Sequence, residues 1–143
     1  MKSTEFFRQN KRFFLENCDG VANYVKRHFP EKVQETISEA DEIAGNKFVF
    51  HSRWDMERTD LPVAFHDRID WVAQPYDDPE WIYAFNRMHY WIELGQAYAL
   101  TKNEKYPEAF ARQMCDWVRR VRRRDPNCAK AWRTIEAGIR MEY

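Results

Sequence analysis

Nowhere in the chain do 18 apolar residues run together, so no stretch reads as a membrane-spanning helix. The first residues, Met1 to Arg8, lack an apolar core before charge returns, which argues against a secretory leader and for a cytoplasmic protein unless the true start lies upstream. Cysteine is scarce: Cys18, Cys115 and Cys128 are odd in number and lack C-x-x-C spacing, which argues against a disulfide framework or a zinc cluster. The four histidines, His28, His51, His66 and His89, form no H-x-x-x-H or H-E-x-x-H pattern, so the sequence calls for no metal. A nucleophile elbow, a phosphate-binding loop and a dinucleotide glycine motif are also missing, and nothing in the sequence requires a cofactor. Net charge is absent too. With 23 basic and 23 acidic side chains, no global field draws the protein to nucleic acid or an anionic membrane, and any anion binding must be local.

What the chain does have is aromatic mass: six Trp, seven Tyr and ten Phe in 143 residues. Rings deliver large buried area, and their faces can also stack on sugar C–H groups in a cleft. Ser3 or Thr4 can cap a first helix carrying Phe6, Phe7, Phe13, Phe14 and Leu15, with Gly20 turning the chain. A short helix follows over Val21 to His28. Pro30 then fits the first turn of another, in which Val33, Ile37, Ala40 and Ile43 share one face until Gly45-Asn46 stops it.

The period then changes. Lys47 to His51 and Pro62 to His66 are short, β-branched and aromatic, and predict a hairpin or extended arm anchored by Trp54, Ile69 and Trp71. Asp78 as N-cap, Pro79 at the first helical position and Glu80 in the first turn predict a long helix reaching about Leu100. After Thr101 to Glu104 a second helix is expected to about Arg122, with Tyr106, Phe110, Met114, Trp117 and Val121 on one side. A loop through Asp125-Pro126-Asn127 leads to a last helix from about Ala129, with no glycine or proline after it to stop it. The expectation is a mainly α chain forming a single helical domain over 1–143. Its parts are a helical lead-in over 1–45, an extended arm over 46–76 and stacked helical hairpins over 77–143. The still-running last helix reads as the opening of a larger protein, whose unpartnered apolar faces predict self-association.

Four side-chain groups can carry chemistry. Asn86, His89, Glu93 and Gln96 fall at i, i+3, i+7 and i+10, a polar stripe facing either water or a cleft. Arg87 lies beside it, either gripping a carboxylate or sulfate or pairing with an acid such as Glu93 or Asp78. The run Arg119 to Arg124 (interrupted by Val121) either binds a polyanion or dresses a helix C-terminus with cations. Trp132, Glu136 and Arg140 share a face, where Glu136 and Arg140 can pair or Arg140 can point into a cleft. Concentration of the basic residues in one run, in a chain of zero net charge, speaks against nucleic acid.

Ile69-Asp70-Trp71, Asp78-Pro79-Glu80-Trp81 with Phe85-Asn86-Arg87, Ala97 to Tyr106, and Ala131-Trp132-Arg133-Thr134-Ile135-Glu136-Ala137-Gly138-Ile139-Arg140 resemble, in order and spacing, the N-terminal domain of the heparinase II/III family of polysaccharide lyases. The resemblance implies an incomplete (α/α) toroid followed by β-sandwich domains, and cleavage of uronic-acid glycans of the heparan sulfate or alginate type by β-elimination. It implies that the catalytic Asn, Tyr and His lie beyond residue 143, leaving this chain inactive alone. It also implies that the long helix and the last helix face the cleft. Arg87 and Arg140 would then contact substrate carboxylate or sulfate, with Asn86 and Trp132 as supports. Cytoplasmic location departs from the commonly exported family enzymes, and the Arg119–Arg124 segment matches no family pattern. The alternative is a stand-alone helical module that binds a glycan or a protein without catalysis.

Overall fold

The computed structural model describes residues 18–50 and 59–141. The expected Phe-rich first helix and Trp54 lie outside them. Helix α1 (Cys18–His28) is followed by α2 (Pro30–Ala44), which Pro30 starts and Gly45-Asn46 closes, the Gly45 N–H donating to the Asp41 carbonyl and the Asn46 N–H to the Ile43 carbonyl. Asn46 takes the left-handed conformation at φ 62° and turns the chain into strand β1 (Lys47–Phe50). Strand β2 (Thr59–Ala64) pairs antiparallel with it, Lys47 opposite Ala64 and Phe48 opposite Val63, with an irregularity before Phe50 meets Thr59. The expected arm is therefore a two-stranded hairpin, and its second strand starts at Thr59, ahead of the β-branched run that begins at Pro62.

Helix α3 (Pro79–Arg87) begins as its sequence dictates, with the Asp78 side chain accepting from the Glu80 N–H at 2.9 Å and Pro79 in the first turn. The single helix expected from Asp78 to Leu100 does not exist. Met88 adopts the left-handed conformation (φ 67°, ψ 15°), and a new helix, α4 (Trp91–Thr101), starts after it. Left-handed backbone at a residue with a Cβ costs on the order of 1–2 kcal/mol, and burial of Met88 and Tyr90 against the aromatic core offsets it. Lys102, also left-handed, closes α4 before α5 (Lys105–Arg120). The last helix is shorter than expected: Pro126–Trp132 is a 3₁₀ segment capped by Asp125, and α6 (Thr134–Arg140) follows a break at Arg133.

Phe85 is the centre of the core. Its ring centroid lies 4.7 Å from that of Trp81, 4.8 Å from Phe48 and 5.1 Å from Trp71, so α3 is clamped between the hairpin and the segment ahead of it. Ile69 and Trp71 are buried and act as the expected anchors. On α5 the buried residues are Tyr106, Ala109, Gln113 and Trp117. Phe110 and Met114, expected on that inward face, are 37% exposed instead, because the turn that buries Gln113 rotates them toward the rim. Gln113 is buried because its amide is satisfied there: it accepts from the Trp91 indole N–H at 2.9 Å and donates to the Ile43 carbonyl at 2.7 Å, joining α4, α5 and the end of α2.

Candidate functional site

The break at Met88 decides what surrounds the end of α3. A helix that stops leaves its last carbonyls without intrahelical partners and its dipole end favouring a cation. Arg140, from α6, fills that role by donating from Nη1 to the Asn86 carbonyl oxygen. Its guanidinium lies 4.9 Å from the Trp117 ring centroid and 5.1 Å from that of Trp132, a stacked geometry that suits a planar cation. Half-burial pushes the Arg140 pKa down, opposed by the negative charge of Glu136. Its second terminal nitrogen, Nη2, is buried with no hydrogen-bond partner.

Asn86 is fully buried and its amide is engaged by protein. Nδ2 donates to the Trp71 carbonyl at 3.0 Å and to the Ile82 carbonyl at 2.9 Å, while Oδ1 accepts from the Trp117 indole at 2.9 Å. The amide thus ties Trp71 in the core to Trp117 beside Arg140. The polar stripe Asn86, His89, Glu93 and Gln96 is not formed, because the helix break removes its register and Asn86 points inward. Glu93 stands on α4 with its pKa raised, first by burial and then by the like charges of Glu39 and Glu35.

Glu136 is the second buried polar centre, with no exposed surface. Arg87 Nη2 approaches its Oε1 at 3.4 Å and Arg133 Nε its Oε2 at 3.4 Å. Glu80 completes the group, 4.0 Å from Arg87. Among the described residues Arg87 thus pairs with acids, Glu136 and Glu80, and Glu136 is held by Arg87 and Arg133 rather than by the Arg140 pairing that the spacing allowed as one of two readings. Arg133 also stacks on Tyr83 at 3.8 Å. Three guanidinium groups, of Arg87, Arg133 and Arg140, thus meet two carboxylates, of Glu80 and Glu136. Among the described residues this group reaches from the buried core to exposed Arg133.

The family model of the heparinase II/III N-terminus matches residues 1–143. The chain belongs to that family. It is accordingly a helical domain related to the N-terminal part of the polysaccharide lyases. Neither a curated protein nor a solved structure gave a match. In this heparinase II/III N-terminal domain the four residues singled out from sequence, Asn86, Arg87, Trp132 and Arg140, converge in one cluster although 54 positions separate the hydrogen-bonded Asn86 and Arg140. Trp117, Glu136 as a shared counter-ion, and Arg133 complete it. Trp117 reads from sequence only as part of an apolar face and Arg133 only as part of a family-like run, whereas Glu136 reads as an acid sharing a face with Arg140. The Arg119–Arg124 run is divided. Arg120 is held by Asp116 and by the Ile69 carbonyl, while Arg119, Arg122, Arg123 and Arg124 are exposed. Among the described residues no group of three His, Cys, Asp or Glu is arranged to hold a metal ion, and no helix is long and apolar enough to cross a membrane.

Proposed function

We propose that this domain forms part of a polysaccharide lyase acting on uronic-acid glycans, and that the Arg140 cluster receives the glycan's carboxylate or sulfate. The observation that carries the reading is the buried Nη2 of Arg140, which has no hydrogen-bond partner. A buried N–H without a partner costs roughly 1–3 kcal/mol, more when charged, and an anion recovers that loss. Partly buried Trp132 lies beside it, the kind of ring on which a pyranose packs. In this reading Arg140 contacts the anion, Arg87 adds field from its seat on Glu136, and Asn86 acts through Trp117 as a positioning residue.

β-Elimination needs the uronate carboxylate neutralised, the C5 proton removed and the leaving 4-oxygen protonated. The cluster is assigned binding of the substrate's acidic group, not any of these three steps. By the family likeness, an Asn, a Tyr and a His in later toroid helices and beyond supply all three, within an (α/α) toroid that these hairpins would begin. Ultraviolet absorbance of the new C4–C5 double bond, measured over heparin, heparan sulfate, hyaluronan and alginate with the chain alone and joined to a lyase continuation, tests the whole reading. Activity only in the joined form agrees with it. Binding of these glycans with no elimination in either form would favour a glycan-binding module without catalysis.

A further inference from the structure

The outward side of α5 is unusual for an exposed helix face. Phe110, Met114 and Val118, at i, i+4 and i+8, are 37%, 37% and 55% exposed and form one stripe with Pro107 and Ala111. Along one edge the stripe runs into an apolar pocket of about 280 Å³ between α4 and α5, lined by Trp91, Gly95, Tyr98 and Phe110 among others. Along the other edge the acids Glu104 and Glu108 precede the arginines, with exposed Lys105, paired with Asp41, and Arg112, which donates to the Ala44 carbonyl, standing among them. Exposed Glu104 and Glu108 flank the N-terminal half, and exposed Arg119 followed by Arg122 to Arg124 flank the C-terminal end. A helix dipole favours that order, but it does not call for an apolar stripe beside it.

We infer that a second copy of this chain docks on α5, with the two α5 helices antiparallel about a two-fold axis near Met114. In an antiparallel pair related by such an axis, each flank meets the same flank of the partner with its direction reversed, so residues whose numbers sum to about 228 face one another. Phe110 then meets Val118, Met114 meets Met114, Glu108 meets Arg119, and Glu104 meets the Arg122–Arg124 end. Acid meets base at both ends. The Val118 side chain lands at the pocket mouth beside Phe110. This gives the exposed arginine run a function that glycan or nucleic-acid binding does not require. A 16-residue helix is about 24 Å long, so the contact is smaller than the roughly 800 Å² per partner of a standard interface, and the dimer is a weak one.

Sedimentation equilibrium of the 143-residue chain across a wide concentration range tests this. The expected result is a reversible monomer–dimer equilibrium that Met114→Glu abolishes. Glu108→Arg and Arg119→Glu each weaken it at least tenfold, and the double variant restores it. Circular dichroism verifies that helix content is kept. A second readout does not depend on any of these variants. In a Cys18→Ser background, exposed Cys115 lies beside its copy near the axis and yields a covalent dimer with a short bis-maleimide. A chain that stays monomeric throughout, a dimer that survives Met114→Glu, a double variant that fails to recover, or no Cys115 cross-link would each overturn the inference.

Discussion

Glu136 has no water contact and depends on cations that stand 3.4 Å away, so its charge is tolerated only because Arg87 and Arg133 share it. Glu136→Gln keeps the shape and removes the charge, leaving guanidinium groups uncompensated. Breaking a buried pair costs about 3–5 kcal/mol, and because Arg133 reaches water the loss should fall at the lower end, as a reduced urea midpoint. Trp117→Phe keeps the ring under Arg140 but strands the buried Asn86 Oδ1, which should cost about 1–3 kcal/mol by the same measurement. Glu93 gives a pH-dependent test. Burial and the charges of Glu39 and Glu35 raise its folded pKa above the ordinary 4.5, so the folded state binds this proton more tightly than the unfolded chain does. Its contribution to stability is full below about pH 4.5 and is lost as pH rises through the folded value. Glu93→Gln should therefore melt at a higher temperature than the unaltered chain at pH 7, with the gap closing below about pH 4.5.

At the scale of elements, the left-handed turn at Met88 brings the end of α3 within reach of α6. Met88→Val places a β-branched side chain in that conformation and should cost about 2 kcal/mol or more, read as a lower melting temperature. The same turn marks the limit of what the sequence disclosed. Asp78-Pro79 and Pro30 announce helix starts through local chemistry, and Gly45-Asn46 announces a stop. Between Arg87 and Trp91 there is neither glycine nor proline, and the apolar period runs on unbroken. Only tertiary packing of Met88 and Tyr90 offsets the cost of the break, so no local pattern could reveal it. For the same reason Asn86 reads as part of a stripe facing water or a cleft when it is a core amide, and Phe110 and Met114 read as core when the buried face centres on Gln113. The candidate cluster was legible as residue types within family-like motifs. Its wiring was not, since a salt bridge such as Arg87 to Glu136 spans 49 positions.

Across the whole molecule the formal charge is zero, yet guanidinium groups gather where α3 meets α6, and exposed acids near the start of α5 face exposed arginines near and past its end. If the first region holds an acidic glycan and the second a copy of the chain, variants in one should leave the other's measurement unchanged. Arg119→Glu should weaken dimerisation and leave glycan affinity within about twofold, whereas loss of both together would place the glycan on the α5 flank instead. Receipt of a uronate carboxylate by Arg140 can be measured by calorimetric titration with a uronic-acid oligosaccharide and its carboxyl-reduced counterpart, each against the unaltered chain and against Arg140→Ala. The acidic oligosaccharide should bind the unaltered chain, and either reducing the carboxyl groups or removing the guanidinium should weaken binding at least tenfold, with the folded helix content retained. Equal affinity for the two sugars, or unchanged binding by a folded Arg140→Ala chain, would contradict a carboxylate seat at Arg140.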